Sequence, residues 1–586
     1  MYLDNKLYVA HSANGPISLT GKMCNRHGLI AGATGTGKTV SLQVIAETFS
    51  QAGVPCFMAD MKGDLSGISQ TGKMTGFIEK RCKEFGIENP EFQPCPVRFF
   101  DVFGEQGFPM RTTISAMGPQ LLARLMDLNE TQSGVLNIVF KIADDHELLL
   151  IDLKDLRLML DFVGQNADKF TTSYGNIAQA SIGAIQRSIL GIQAEGGDKF
   201  FGEPAFDVND LLDVENGKGV MSVLAADKLM LNPKLYSTFL LWLMTELYAT
   251  LPEVGDLDLP KLIFFFDEAH MLFDGTSKAL VDKLQQVIRL IRSKGVGIYF
   301  ITQSPTDIPD EILGQLGNRV QHALRAYTPK DQKAVRTAAE TFRANPEFKT
   351  EDAIMNLETG EALVSFLDPK GAPMIVERAK MLFPLSQIGA VTEGQRLDIK
   401  NAAPSRIKAY ESYFDRESAY EILVAQKDKE AREAEEVRLA KEEEKRRAAE
   451  EKEAAKLAKE EEREAARIAK EEEKARKEAE REAARIAKEE EKARKEQEKE
   501  EARKAKESGK WTRTIFGTLI GAAATSVARS VGSSVAKSIT GSSSKSSSKS
   551  TSKKSTGGSI LGKAAQSATQ SATRKLTQEI LKSIFK

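Results

Sequence analysis

The segment GATGTGKT, Gly32 to Thr39, constrains the fold more than any other part of the 586-residue chain. It follows a short apolar run, Gly28–Ala31, and precedes a segment of helical pattern, Val40–Phe49. Strand, glycine-rich loop and helix in that order form a complete phosphate-binding loop. Glycines let backbone N–H groups turn inward around phosphate oxygens, and the following helix presents its positive end. Gly32, Ala33, Thr34, Gly35, Thr36, Gly37, Lys38 and Thr39 are then the cradle for ATP. Lys38 supplies a point charge to the β and γ phosphates, and the Thr39 hydroxyl ligates Mg²⁺. The plainer alternative is a glycine-rich turn that only caps a helix.

Further apolar runs bounded by Gly or Pro read as buried strands: Val54–Ala59, Gly219–Leu224, Leu262–Phe266 and Gly297–Thr302. Segments of helical period, such as Lys234–Ala249 and Lys278–Arg292, lie between them. Buried strands alternating with helices predict an α/β body over residues 1–400, a parallel sheet with helices on both faces. Leu121, Leu122, Leu125 and Met126, then Ile177–Ile192, mark a helical insertion at about residues 110–200. A connecting helix is expected over residues 401–426.

A second signal is LIFFFDEAH, Leu262 to His270, a buried strand with two carboxylates at its end. Asp267 is placed to hold Mg²⁺ through water, and Glu268 to polarise an attacking water. Phosphoryl transfer needs positioning and charge neutralisation, so lysine, metal and a water-orienting carboxylate suffice. Taken alone, the pair reads more readily as an acidic helix start after a strand, and the phosphate loop beside it turns the reading to catalysis. A third strand, in GVGIYFITQSP (Gly295–Pro305), ends on Thr302 and Gln303. The Gln303 amide there can sense the γ-phosphate; ordinary strand-end polarity is the alternative. Just upstream, Arg289 and Arg292 lie three apart on a helix, from which Arg292 could reach a neighbouring subunit's nucleotide. A solvated basic helix end explains them too, and Arg319 and Arg325 are reserves for the same role. In MADMKGDLSG (Met58–Gly67), Asp60 and Asp64 bracket Lys62, as a site element or a simple polar turn.

These motifs, with Ala184–Asp207 and Leu324–Val335, resemble the HerA-like branch of the HerA/FtsK ATPases over about residues 1–400, and more narrowly its YjgR-type group. The resemblance implies a RecA-like core, assembled as a ring that is usually hexameric, coupling ATP hydrolysis to movement of double-stranded DNA. It also places the family's arginine finger on Arg292. Only 31 residues precede the phosphate loop, so the N-terminal β-barrel of HerA itself is not expected. The letters DEAH do not indicate the helicase class named for them, because no QxxGRxGR-type motif is present; nor is there an LSGGQ-like signature.

Beyond residue 426 the character changes. Arg463–Glu480 and Arg481–Glu498 are copies of one 18-residue unit, differing only at Ala479 against Gln497. Eighteen residues complete five helical turns, so matching side chains recur on one face. Leu439, Leu457, Ile468 and Ile486 are almost the only large apolar residues, too few for a strong coiled-coil seam. Residues 427–507 are therefore expected as a solvated single helix or a weak coiled coil.

Residues 508–586 carry 13 Lys or Arg and one acid, Glu579, whereas residues 1–426 carry 42 basic against 53 acidic residues. The tail has two amphipathic segments around the Ser/Lys-rich linker Gly541–Gly558. It is expected to dock on DNA, a protein partner or an anionic membrane. No apolar stretch is long enough to cross a bilayer and the start shows no secretory signal, so a cytoplasmic location is expected. Cys24, Cys56, Cys82 and Cys95 form no CxxC pair, and reduced thiols are expected. The leading reading is a DNA-moving ATPase. The alternatives are an ATPase that moves protein substrates, and a nucleotide-switched scaffold tethered by rod and tail.

Overall fold

The computed structural model describes residues 1–504 apart from Asp256 and residues 274–277. Two units are distinguished, a body ending at Asp428 and a second unit beginning at Lys429. The eleven longer strands of the body are β1 (Lys6–Ser12), β2 (Gly15–Leu19), β3 (Gly28–Ala31), β4 (Cys56–Asp60), β5 (Val97–Asp101), β6 (Met221–Ala225), β7 (Leu262–Phe266), β8 (Val296–Thr302), β9 (Asn318–Gln321), β10 (Glu361–Ser365) and β11 (Glu377–Met381). They form one sheet in the order β1-β11-β10-β9-β3-β8-β7-β4-β6-β5, with β2 paired to β1.

From β9 to β5 every pairing is parallel, and from β9 to β1 every pairing is antiparallel. The α/β fold with a mostly parallel sheet is as expected; the antiparallel flank is an addition. The strands expected at Val54 and Gly219 begin two residues later, at Cys56 and Met221.

Side chains alternate across the sheet, as strand geometry requires. Ile263 and Phe265 enter one core with Leu42, Ile45 and Phe49 of the helix Lys38–Gln51. Phe264 and Phe266 enter the other, with the helical insertion and the helix Pro233–Thr250. The insertion runs from Ile114 to Phe200 as six helices between the neighbouring strands β5 and β6. All four cysteines are buried and unpaired.

The expected connecting helix is not formed. Residues 393–418 hold two short helices, Glu393–Ala402 and Ser405–Lys408, and a single turn, Ala409–Glu411. Pro404 breaks the run because the residue before a proline is pushed out of helical geometry, and Ala403 sits at φ −62°, ψ 148°. A new helix then starts at Ala419 and continues to Lys504. Its start is anchored on the insertion: Ser418 Oγ and the Tyr420 N–H both donate to Asp155 Oδ1, at 2.5 and 2.9 Å.

In the second unit Leu439, Leu457, Ile468 and Ile486 are exposed. The ion pairs Glu473–Lys477 and Glu491–Lys495, both at 2.8 Å, are the same pair repeated 18 residues apart. Each such pair stabilises a helix by about 0.2–0.5 kcal/mol. No helix among the described residues is long and apolar enough to cross a membrane. The basic tail, residues 508–586, lies outside the described residues.

Candidate nucleotide site

The carboxyl ends of β3, β8, β7 and β4, four adjacent parallel strands, carry the loops with Gly32–Thr39, Gln303, Asp267–Glu268 and Asp60–Lys62. In open α/β sheets this edge is where ligands sit.

The phosphate loop is shaped by glycines in conformations closed to other residues. Gly32, Gly35 and Gly37 have φ of 155°, 77° and 113°. A Cβ on Gly32 would lie 2.5 Å from the His322 Cβ, and one on Gly37 would lie 3.3 Å from the Gly360 Cα. No side chain caps the helix that begins at Lys38, so its first N–H groups are left to a ligand. Lys38 Nζ donates to the loop's own Gly32 and Ala33 carbonyls, at 2.7 and 3.1 Å. Burial lowers the Lys38 pKa, against the pull of Glu268 and Asp267.

Asp267 and Glu268 are only 5% and 7% exposed. Glu268 adopts a left-handed conformation, φ 47° and ψ 49°, rare for a residue other than Gly, Asn or Asp. This turn lets the two successive carboxylates follow a buried strand. Lys62 Nζ donates to Glu268 Oε1 at 2.5 Å, and Gln303 Nε2 donates to Oε2 at 3.3 Å. His270 Nδ1 lies 3.4 Å from the same Oε2. Burial alone would raise the Glu268 pKa, but the Lys62 ammonium, with the Gln303 hydrogen bond and His270, leaves the group below its ordinary value. Asp267 is pushed up to about 6, by burial first and then by the Glu268 charge.

Asp60 is buried and pins its own loop. Its Oδ1 accepts the N–H groups of Lys62 and Gly63 at 3.3 and 2.8 Å, and its Oδ2 that of Leu65 at 3.2 Å. Burial, then the nearby Asp64, raises its pKa to about 7. The Met58–Gly67 segment is therefore not a detached polar turn, because it delivers Lys62 to Glu268. His322, which no sequence pattern marked, walls the loop. Its Nδ1 donates to the Glu361 carbonyl and its Nε2 accepts from Ser41 Oγ, both at 2.8 Å. Burial holds it neutral, with a pKa of about 4.

The donor set fits a nucleotide with Mg²⁺. Among the described residues no three His, Cys, Asp or Glu groups could hold a metal by themselves. Mg²⁺ at such a site takes one or two protein oxygens and completes its shell with phosphate and water. Thr39 and Asp267 are the residues that would hold it. Asp64 Oδ1 is buried without a hydrogen bond among the described residues, a polar atom suited to an ordered water.

The arginines lie elsewhere. Arg292 precedes β8, whose seven residues separate it from Gln303 by about 20 Å. With Arg26, His27, Gln285, Arg289 and Arg319 it lines a pocket of about 570 Å³ at the amino-terminal edge of the sheet. Arg319 does not suit a reserve finger, since its guanidinium donates to the Leu316, Thr341 and Leu313 carbonyls at 2.9, 3.1 and 2.9 Å. Arg325 donates to the Met355 carbonyl at 2.6 Å.

A family model described as helicase HerA-like C-terminal matches residues 5–488. No curated protein matches the sequence. Among solved structures, the bacterial conjugative coupling protein TrwB, lacking its first 70 residues, is similar at 14% identity and a TM-score of 0.45, covering 67% of this chain and 92% of that one. VirB4 of Thermoanaerobacter pseudethanolicus is similar at 14% identity and a TM-score of 0.39, covering 64% and 96%. TrwB in complex with ADP and Mg²⁺ gives 13% identity and a TM-score of 0.42, covering 63% and 87%.

Proposed function

The chain belongs to the HerA-like helicase C-terminal family, and on that premise we propose that it hydrolyses ATP to move double-stranded DNA through a hexameric ring of identical subunits. The observation that carries this reading is the meeting of Lys38, Asp267, Glu268 and Gln303 at one sheet edge, with Arg292 at the other.

Lys38 leaves its loop carbonyls for the β and γ phosphates and offsets their charge. Thr39 and Asp267 would hold Mg²⁺, which would supply positive charge to neutralise the charge developing on the phosphates. Glu268 orients the attacking water on the γ-phosphate side, its carboxylate fixed by Lys62 and Gln303. Gln303, beside it, senses whether the γ-phosphate is present. Arg292 is too far from its own phosphate loop to take part there, so its role as a finger is toward the neighbouring copy's nucleotide. A finger acting in that way makes each site dependent on two subunits and so links hydrolysis to movement around a ring.

The basic tail, with 13 Lys or Arg, adds a sequence-independent hold on duplex phosphates. Steady-state ATP turnover with and without duplex DNA, alongside the mass of the assembly, tests this reading. Turnover stimulated by DNA in a particle six times the chain mass is expected. A monomer with full turnover that ignores DNA would refute it.

A further inference from the structure

We propose that Phe77, on the helix Gly76–Phe85, is the platform on which the base of the bound nucleotide stacks. This rests on the reading of Gly32–Thr39 as the phosphate cradle. A nucleotide held there by its β and γ phosphates must run its ribose and base past the start of the Lys38–Gln51 helix, onto the adjoining surface.

That surface is built around Gly360. The Gly360 N–H donates to the Thr36 carbonyl at 3.0 Å, and the glycine faces Gly37 closely enough that a Cβ on Gly37 would meet its Cα at 3.3 Å. On its far side a Cβ at Gly360 would stand 3.0 Å from Arg81 Nη2 and 3.9 Å from two ring atoms of Phe77. One glycine, at φ 76°, thus separates the phosphate loop from an aromatic ring, with no side chain of its own to obstruct the space between.

Phe77 is 42% exposed in a helix whose Arg81, one turn on, is buried. The Arg81 guanidinium lies 5.2 Å from the Phe77 ring centroid and 5.7 Å from that of Phe85, and also donates to the Gly360 carbonyl at 3.2 Å. The ring is therefore backed by a fixed cation and is still partly exposed. Thr75 fixes the backbone beneath it by accepting the Ile78 N–H at 3.3 Å. Met74, three residues before Phe77, is also exposed, at 49%. A fixed, partly exposed ring beside a phosphate cradle is what a planar base stacks on, and stacking accepts any base.

The test compares ADP with inorganic tripolyphosphate, each with Mg²⁺, by calorimetric titration of the full chain. Tripolyphosphate engages the cradle but has no base. Phe77→Ala should weaken ADP by about 5- to 100-fold, the range of base–aromatic stacking, and leave tripolyphosphate affinity within about twofold. Phe77→Tyr, which keeps the ring, should restore ADP binding. Unchanged ADP affinity in Phe77→Ala would overturn the platform, and so would an equal loss for both probes. Failure of the phosphate-cradle reading is read separately, from unmutated protein that binds neither probe.

Discussion

Lys62→Met removes one charge from the candidate site and keeps the length of the side chain. Among the described residues the Glu268 carboxylate meets Lys62 at 2.5 Å on Oε1, and Gln303 and His270 at 3.3 and 3.4 Å on Oε2. The ammonium is the shortest of these and the one that fixes Oε1. A hydrogen bond to a charged group contributes about 1.5–3 kcal/mol, and Lys62 is half exposed, so the low end applies. Losing about 1.5 kcal/mol of orienting energy lowers the correctly placed fraction of the carboxylate about tenfold. A displacement of about 1 Å would extend the loss to about a hundredfold. We therefore expect kcat for ATP to fall by about ten- to a hundredfold in Lys62→Met, with nucleotide affinity nearly unchanged and partial recovery in Lys62→Arg. Steady-state turnover at saturating Mg–ATP, beside equilibrium binding of ADP, measures both. An unchanged kcat, or a loss confined to affinity, would refute the positioning argument.

Mixing Arg292→Ala with Glu268→Gln subunits should restore part of the turnover that each homogeneous assembly lacks, as a site shared between chains requires; no recovery at any ratio would argue against the finger. The two buried histidines, His27 and His322, both have a pKa of about 4 in the folded chain, so between pH 6.5 and 4 the unfolded chain binds protons that the folded chain does not. Stability contributed by each is present above that window and falls through it, by about 3 kcal/mol per histidine. Denaturant unfolding should accordingly show a shallower loss on acidification in His322→Gln than in the parent, and equal slopes would contradict this. Deleting residues 508–586 should reduce the salt dependence of duplex binding by about six in log–log slope between 50 and 200 mM if half of its 13 basic residues meet phosphates. An unchanged slope would assign the tail to another partner.

The five central parallel strands, β3, β8, β7, β4 and β6, were legible because they are continuous apolar runs, with LIFFF of β7 the plainest, whereas VRFFD of β5 and NRVQ of β9 were not. The antiparallel flank was not, because EALVS of β10 and ERAKM of β11 carry charges and offer no such run. The break before the long helix had two readable marks: Pro404, and the Ser418-to-Glu421 spacing of a helix cap, where Ser418 N–H donates to Glu421 Oε2 at 2.9 Å. Of the site, the phosphate loop stood out by its own spacing, and the two carboxylates only in company with it. Lys62 could not be separated from a polar turn, since its partner is 206 positions away. His322 and Phe77 are single residues without a pattern, brought to the loop only by the pairing of β9 with β3 and by the Gly360 contact. Arg292 was readable as a basic helix end, but its separation from its own phosphate loop follows only from strand direction.

The most direct measurement of the central claim is ATP turnover by Glu268→Gln against Lys38→Ala, each paired with nucleotide binding. Glu268→Gln should bind Mg–ATP as the parent does and hydrolyse it at least a hundredfold more slowly, while Lys38→Ala should lose binding itself, an expectation that follows from one residue orienting water and the other holding phosphate, with single catalytic groups contributing about 10²–10⁴. Near-parental turnover in Glu268→Gln would contradict the account.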